Sequence, residues 1–300
     1  MMAENYGKRL LTFVDSLNVP YFYEPSFKLM AGSLLSDRFL LILYLPALKG
    51  GEQQLIHRLA LQLNMPNDFR DAISEQVVGL RELIVGFDGR DKGSICKLYV
   101  EDPIHSVGTE SQKIFTAYKW QPESVNTKSV DSYYLAAVTS RADILAGIRR
   151  LSNGRETQGF YAASELLFLA SKLTLDELFY MEVEDQTQTR SSFDIRFYDA
   201  ELDLQQAMPV VYDMANYFDV SIAAIDKLLA AEKNKKLGHL SSGIGRDGEE
   251  FVTFYYGVQA VEGLDVIILI VLRRAFFQAL SVKWVVQNLS CRRIAAIFME

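Results

Sequence analysis

A basic residue, an apolar residue and a tyrosine follow one another twice in this sequence, as Lys97-Leu98-Tyr99 and Arg196-Phe197-Tyr198, and Thr253-Phe254-Tyr255 is an uncharged version. Lysine and arginine bind phosphate oxygens through charge-assisted hydrogen bonds, and aromatic faces attract cations. The combination suits a diphosphate joined to a group that becomes an allylic cation. The predicted diphosphate-binding residues are Arg38, Lys97 and Arg196, and the predicted cation shield is Tyr99, Tyr198 and Tyr255.

Carboxylates near these motifs are candidates for a general base, because deprotonating an attacked ring or hydroxyl requires an acceptor within hydrogen-bond reach. The candidates are Glu101, Glu182 and Asp194, and His239 is a further residue predicted to face the same chamber. Each carboxylate is explained equally well as an ion-pair partner of Lys97 or Arg196. The alternative interpretation is therefore a solvated sheet face with paired charges.

Three segments share one plan, in which a strand leads through a polar turn into a second strand: residues 80–101, 177–199 and 237–257. Asp-Gly pairs and glycine-flanked polar turns are strong signals for β-hairpins. Further strands are predicted at 38–45, 114–119, 133–139 and 265–272, and a long loop at 121–132. Apolar periodicity predicts helices at 53–63, 142–150, 164–172, 205–218 and 221–231.

Hairpins that alternate with helices cannot form a doubly wound parallel sheet, which requires single strands between single helices. A closed antiparallel barrel of about ten strands, covered by helices, would leave no strand edge unpaired. We therefore predict an α+β fold in which residues 1–300 form one domain with this barrel.

Strand periodicity predicts what fills such a barrel. Side chains alternate between faces, so Lys97, Tyr99 and Glu101 share one face, and the row Asp194-x-Arg196-x-Tyr198 shares another. If helices cover the outside, the intervening apolar residues face them and the polar rows point inward. Charged side chains in an interior indicate a ligand chamber.

Composition excludes several functions. The formal charge is −7, so the chain has no basic excess for a nucleic-acid backbone. The apolar run at 266–272 is far below the roughly 18 residues that span a bilayer, and no signal peptide is evident, so we expect a soluble cytoplasmic protein. Three histidines and two distant cysteines show no metal spacing.

The arrangement resembles the ABBA-type aromatic prenyltransferases, and parts of the chain are similar to the cyanobactin-peptide prenyltransferases of cyanobacteria. The similar segments cover less than a quarter of the chain and are 36–41, 94–100, 194–198 and 252–256. The resemblance implies repeated α-β-β-α units, a barrel of ten strands, and a prenyl diphosphate held by Lys, Arg and Tyr side chains.

In the peptide-modifying group, a glutamate shortly before the first barrel strand is the expected base, and the resemblance points to Glu24 as the nearest candidate. Residues 27–33, which precede that strand, contain no acid, so indole and phenol acceptors stay open beside peptides. No Asp-Asp-x-x-Asp motif is present, so side-chain cations must meet most of the diphosphate charge, although Mg²⁺ can assist. No organic cofactor is expected.

Two functions are consistent with these features. The first is a prenyltransferase that moves a dimethylallyl or geranyl group from its diphosphate to an aromatic or other nucleophilic acceptor. The second is a non-catalytic barrel that binds a pigment or another hydrophobic anion through the same cations. Only the prenyltransferase would convert donor and acceptor into product, so a measurement of turnover distinguishes the two functions.

Overall fold

The computed structural model describes residues 5–48, 50–90, 93–102, 110–187 and 190–261. The strands in these ranges are β1 (Tyr21–Met30), β2 (Ser33–Leu35), β3 (Arg38–Tyr44), β4 (Glu82–Asp88), β5 (Ile95–Glu101), β6 (Gln112–Gln121), β7 (Ser124–Leu135), β8 (Phe179–Asp185), β9 (Ser191–Arg196), β10 (Leu237–Ile244), β11 (Glu250–Tyr256) and β12 (Gln259–Val261). The helices are α1 (Tyr6–Leu17), α2 (Glu52–Gln62), α3 (Asn67–Gln76), α4 (Arg141–Leu151), α5 (Gln158–Leu169), α6 (Leu204–Tyr217) and α7 (Ile222–Leu229).

Ten of these strands form a closed antiparallel barrel. Each of β3 to β11 pairs with its neighbour in sequence, and β1 closes the barrel by pairing with β3 on one edge and β11 on the other. The short strands β2 and β12 extend the sheet beside β1. Closure gives every barrel strand two partners, which confirms the predicted fold class.

The barrel consists of successive hairpins. The three predicted hairpins are present as β4–β5, β8–β9 and β10–β11, and Gly248 has the positive φ of 81° that the last turn requires. The predicted loop at 121–132 is wrong, because β6 and β7 pair directly across it. The strand predicted at 133–139 ends at residue 135, and the one at 265–272 lies outside the described residues.

Helices cover the outer barrel face in two groups. One apolar cluster joins α1, α2 and α3 to the first strands, and another joins α4 to α7 to the last strands. The helices α4, α5 and α7 begin after Ser140, Thr157 and Ser221, whose side chains accept hydrogen bonds from backbone N–H groups of the first turn. The prediction missed α1 and α3. No helix in the described part of the chain is long and apolar enough to cross a membrane.

Alternation along the strands separates the two barrel faces. On β9, Phe193 and Ile195 pack against the helices, whereas Asp194 and Arg196 line the lumen, and β5 follows the same pattern. The lumen is not uniformly polar, however. A third apolar cluster, centred on Ile42, Ile84, Phe115, Phe179 and Met181, lies inside the barrel. The interior therefore offers both charged and apolar walls.

Candidate active site in the barrel lumen

A cavity of about 560 Å³ occupies the lumen and extends to the hairpin turns at one end of the barrel. Turn residues such as Arg90, Arg190 and Arg246 contribute to its wall, and Leu40, Ile84 and other apolar residues line the deeper part. Ligand pockets usually measure about 300–1,000 Å³. The cavity is therefore large enough for a small organic ligand.

The carboxylate of Asp88 holds two buried cations in the cavity wall. Asp88 Oδ2 lies 2.8 Å from Arg38 Nη1, and Lys97 Nζ donates to Asp88 Oδ1 at 2.7 Å. Burial, opposed by Asp88 and reinforced by the charge of Arg38, lowers the pKa of Lys97 to about 8. The pair of cations is thereby fixed in position with only one counter-charge.

A second carboxylate, Asp131, holds three more cations. Asp131 is fully buried on β7 and accepts hydrogen bonds from Lys119, Arg190 and Arg246. Arg246 also donates to Asp185 at 2.9 Å. We call Arg38, Lys97, Lys119 and Arg190 the cation cluster. In the described residues these cations and Arg246 outnumber the carboxylates bonded to them, which leaves positive charge for an anionic ligand.

Replacing Asp131 with asparagine should lower the free energy of unfolding by about 3–5 kcal/mol, because buried cations lose their counter-charge. Burial would raise the pKa of the Asp131 carboxyl, but Lys119 and Arg190 hold it well below its usual value. The stabilisation is thus present above the unfolded-state pKa of about 3.9 and is lost as the pH falls through the lower folded-state pKa.

Urea unfolding at neutral and acid pH measures this effect. The difference between wild type and Asp131→Asn should narrow below about pH 4. Asp68→Asn is the matched control, since Asp68 pairs with Lys128 on the surface and exposed pairs contribute about 1 kcal/mol or less. Equal losses in the two variants would contradict the structural role of Asp131.

Three tyrosines, Tyr99, Tyr133 and Tyr255, line the cavity near the cation cluster. Tyr255 lies beside Arg38, whose charge acts on its hydroxyl, and its ring stacks on the His239 ring at 3.7 Å. The rings of Tyr99 and Tyr133 meet edge to face at 5.6 Å, and each hydroxyl influences the pKa of the other. Burial raises the pKa of each tyrosine, so all three hydroxyls stay protonated at neutral pH.

A second group of ionisable residues lies beyond Tyr255. His239 Nδ1 is 2.7 Å from Asp194 Oδ2, and His239 Nε2 is 3.5 Å from Glu24 Oε2. The Tyr198 hydroxyl donates to Glu24 Oε1 at 2.6 Å. Burial would lower the pKa of His239, but Asp194 and Glu24 raise it to about 9. The imidazole thus lies between two carboxylates, Asp194 and Glu24.

Gly238 provides the space for Glu24. A Cβ at this position would lie 2.2 Å from Glu24 Oε1 and 2.9 Å from Tyr198 Cε1. Alanine here would displace the buried carboxylate. Glycine is required here because neighbouring side chains approach its Cα closely, and not because of its backbone conformation. No turn motif in the sequence therefore marks this position.

The structure places eight of the predicted site residues in two groups, and the other three, Arg196, Glu101 and Glu182, lie elsewhere. Arg38, Lys97, Tyr99 and Tyr255 lie at or beside the cation cluster, and Glu24, Asp194, Tyr198 and His239 lie in the second group. Glu24 is 1% exposed and is part of β1, a barrel strand that the prediction missed. Tyr198 follows β9 in a single 3-10 turn.

The remaining predicted residues lie elsewhere. Arg196 lines the cavity next to His239 on the neighbouring strand, and its charge acts on Tyr198 and Glu82, away from the cation cluster. Glu101 lies at the end of β5, where burial and Glu101 raise the pKa of Glu82 to about 8. The two basic-x-Tyr motifs suggested that Arg196 and Lys97 occupy equivalent places, and the structure places them in different parts of the cavity.

The prediction that Glu182 faces the lumen is wrong. Glu182 accepts hydrogen bonds from Arg150 on α4 and from Tyr180, on the helix-covered face of the barrel. On β8 the inward residues include Phe179 and Met181, which are apolar and belong to the interior cluster. A polar residue in the sequence therefore did not mark the inward face on this strand.

Sequence reasoning also missed Lys119, Asp131, Tyr133 and Arg190. Lys119 and Tyr133 stood at the ends of predicted strands, and a β6–β7 hairpin with the correct register would have placed both inward. Arg190 lies just before β9, in a turn where no periodicity indicates direction.

Comparison with solved structures gives neighbours of the same architecture. The prenyltransferase PriB matches in its binary complex with product diphosphate (14% identity, TM-score 0.56, 78% of this chain and 79% of that chain). Its ternary complex with L-tryptophan and dimethylallyl thiolodiphosphate also matches (14%, TM-score 0.54, 78% and 79%). AnaPT from Neosartorya fischeri matches with 13% identity and a TM-score of 0.54 over 81% of this chain and 80% of that chain.

These likenesses show that the chain has the closed ten-stranded barrel of the ABBA prenyltransferase structures, and at such identities they concern the fold alone. No protein-family model and no curated protein sequence matches the chain.

Proposed function

We propose that this protein is a prenyltransferase that moves a dimethylallyl or geranyl group from its diphosphate to an aromatic or other electron-rich acceptor. The observation that carries the proposal is Tyr255, which links the cation cluster to the Glu24–His239–Asp194 group through one ring. An anion site, a cation-stabilising layer and a base thus follow one another in a single cavity.

The cation cluster would bind the diphosphate and stabilise the charge that forms on it. The carbon–oxygen bond of the donor breaks, its electron pair passes to the diphosphate, and an allylic cation remains. Lys97 and Arg38 would provide charge-assisted hydrogen bonds to the leaving oxygens. The rings of Tyr99, Tyr133 and Tyr255 would face the cation, since the ring quadrupole attracts positive charge.

The apolar part of the lumen would accommodate the prenyl chain. Leu40, Ile42, Ile84, Phe115 and Met181 line the cavity and belong to, or pack against, the interior cluster. Their surfaces exclude water, which would otherwise capture the cation.

Glu24 would act as general base. The acceptor attacks the allylic cation to form a new bond, and the proton that it then loses passes to the Glu24 carboxylate. His239 and Tyr198 would hold that carboxylate in a fixed orientation. This assignment deepens the role predicted for Glu24 and replaces Glu101 and Glu182 as bases.

The proposed acceptor is defined as a chemical class, an aromatic or other electron-rich molecule, and not as one compound. A ternary complex of PriB contains L-tryptophan, which supports an indole acceptor for this barrel. A side chain of a cyanobactin-type peptide is the alternative acceptor, because the cavity is open at the hairpin-turn end.

Mg²⁺ could assist, although side-chain cations would meet most of the diphosphate charge. No group of three or more His, Cys, Asp or Glu side chains in the described residues is arranged to hold a metal ion, and the carboxylates nearest the cation cluster are bonded to Lys or Arg. The side-chain cations would neutralise the donor, so EDTA should leave most of the turnover intact.

The decisive experiment incubates the protein with dimethylallyl or geranyl diphosphate and a panel of indoles, phenols and Tyr- or Trp-containing peptides, with and without EDTA, followed by mass spectrometry. A prenylated acceptor formed over many turnovers is the expected result. Tight binding of the diphosphate without turnover across the panel would instead favour the non-catalytic carrier.

Replacing Tyr99 should separate the effect of its ring from that of its hydroxyl. Tyr99→Leu should slow transfer by about tenfold or more, since a desolvated cation–π contact contributes about 2 kcal/mol. Tyr99→Phe keeps the ring and its edge-to-face contact with Tyr133 and loses only the hydroxyl, so it should retain most of the activity. Product analysis of transfer against donor hydrolysis, with melting curves, tests this; equal losses in both variants would assign the role to the hydroxyl.

A further inference from the structure

A groove on the outside of the barrel runs between the helices α1 and α2. It encloses about 600 Å³, and the apolar side chains in its lining are Phe13 of α1 and Leu61 of α2. Phe13 is buried, whereas Leu61 is 75% exposed. The residues that line this groove do not line the lumen cavity, so the groove is a separate feature of the surface.

The charged side chains in the groove lining are all cations. Lys8 and Arg9 lie on α1, and Arg58 lies on α2. The Arg58 guanidinium is 5.2 Å from the centre of the Phe13 ring, and Arg9 Nε donates to Gln62 Oε1 at 3.1 Å. Lys8 and Arg58 form no ion pair with a carboxylate in the described ranges. In a chain with a formal charge of −7, the groove is thus a local excess of positive charge.

Helical spacing places the lining residues along one strip of each helix. Lys8, Thr12 and Ser16 follow one another at intervals of four on α1, and Arg58 and Leu61 are three apart on α2. The strip on α1 is about 12 Å long, or about two helical turns. Such a groove matches the face of a third helix, which inserts apolar side chains at positions i, i+3, i+4 and i+7.

Other anionic partners match the groove less well. A nucleic acid is bound through many phosphate contacts, whereas this groove has three cations and the charge of the whole chain repels a polyanion. A membrane surface is bound by a broad apolar face, whereas Phe13 is buried and Leu61 stands among cations. A short segment with both acidic and apolar side chains fits both properties of the groove.

We propose that the α1–α2 groove is a docking site for an acidic, amphipathic helix of another protein. The Asp or Glu side chains of that helix would pair with Lys8, Arg9 and Arg58, and its apolar side chains would pack on Leu61 and the edge of Phe13. The charges would fix the register of the helix, and the apolar contacts would add affinity. The inference does not depend on the prenyltransferase proposal, because the groove lies outside the lumen.

Two charge reversals separate binding from folding. Lys8 lies in the first turn of α1, where the helix dipole favours an acidic side chain, so Lys8→Glu should be at least as stable as wild type. Arg58→Glu also loses the contact with the Phe13 ring, and its melting curve reports any cost to the fold. Lys172→Glu is the matched control, because Lys172 is exposed after α5 and the variant changes the net charge by the same amount.

The experiment is a selection of displayed random peptides, each about 16 residues long and so able to form about four helical turns, on the full-length protein at low ionic strength. Peptides that also bind Lys8→Glu are removed by counter-selection. The remaining peptides should be acidic, with apolar residues at helical spacing. Their affinities, measured by fluorescence anisotropy, should be about tenfold weaker for Lys8→Glu and for Arg58→Glu, since each reversal replaces attraction by repulsion. Lys172→Glu should bind as wild type does.

Each outcome decides the inference. Acidic peptides that bind more weakly to both reversals and at higher salt, with Lys172→Glu unchanged, support it. A selection that yields no peptide, or only peptides without acidic residues, overturns it. Weaker binding by Arg58→Glu alone, together with a lower melting temperature, also overturns it and assigns Arg58 a structural role. Vesicles with phosphatidylserine that bind wild type and not Lys8→Glu, when no acidic peptide does, would assign the groove to a membrane surface instead.

Discussion

Replacing Glu24 with glutamine should lower the rate of prenyl transfer by about 10²- to 10⁴-fold, the usual contribution of a general base. Glutamine has the same shape and can still accept the hydrogen bond from Tyr198, so the fold should persist. It cannot take a proton at neutral pH. Single-turnover measurements with saturating donor and acceptor would report the loss, and the affinity for inorganic diphosphate should not change because Glu24 is not bonded to the cation cluster.

Two further variants test whether the loss of activity is specific to the Glu24 carboxylate and its position. Gly238→Ala should reduce transfer without removing the carboxylate, since the added methyl group would collide with Glu24 Oε1. Glu182→Gln should retain wild-type transfer, because Glu182 lies on the outer face of the barrel beside Arg150. Full activity of Glu24→Gln would assign proton removal to another group and end the case for this base.

Lys97→Ala should weaken the binding of inorganic diphosphate by about 10- to 100-fold. A charge-assisted hydrogen bond contributes about 1.5–3 kcal/mol, and each 1.4 kcal/mol corresponds to about tenfold in affinity. The loss concerns affinity more than folding, because Asp88 keeps Arg38 as its partner at 2.8 Å. Isothermal titration at low ionic strength measures it directly.

Arg196→Ala provides the comparison for Lys97. Arg196 lies opposite His239 and its charge acts on Tyr198 and Glu82, so its removal should change diphosphate affinity much less. If both variants weakened binding equally, the diphosphate would lie deeper in the lumen than the cation cluster. Unchanged affinity in Lys97→Ala would place the anion site elsewhere.

Local sequence patterns were sufficient for the hairpins and for the closed barrel. The Asp-Gly turn before β11 and the alternation along β5 and β9 are local properties, and they indicate strand, turn and inward face without knowledge of distant residues. Antiparallel hairpins joined by helices then leave closure as the way to pair every edge. For this reason Lys97 and Tyr99 were placed on the lumen wall from the sequence.

Local sequence patterns did not predict strand β1 or the β6–β7 hairpin. The sequence of β1 contains Pro25, which is uncommon inside a strand, and β7 begins with a run rich in serine and other polar residues, which is typical of a loop. Pairing with neighbouring strands, and not local propensity, makes these segments strands. Their placement decided the positions of Glu24 and Asp131.

The sequence by itself determined the fold class, the inward face of β5 and β9, and a chemistry of cations beside phenols. Only the tertiary structure decided which charges meet: Asp131 with Lys119 and Arg190, and Glu24 on β1 with His239 on β10, two strands away around the barrel. Barrel strands are tilted and staggered, so residues at equal places in repeated hairpins reach different depths. Arg196 and Lys97 therefore occupy similar motifs in the sequence but different parts of the cavity.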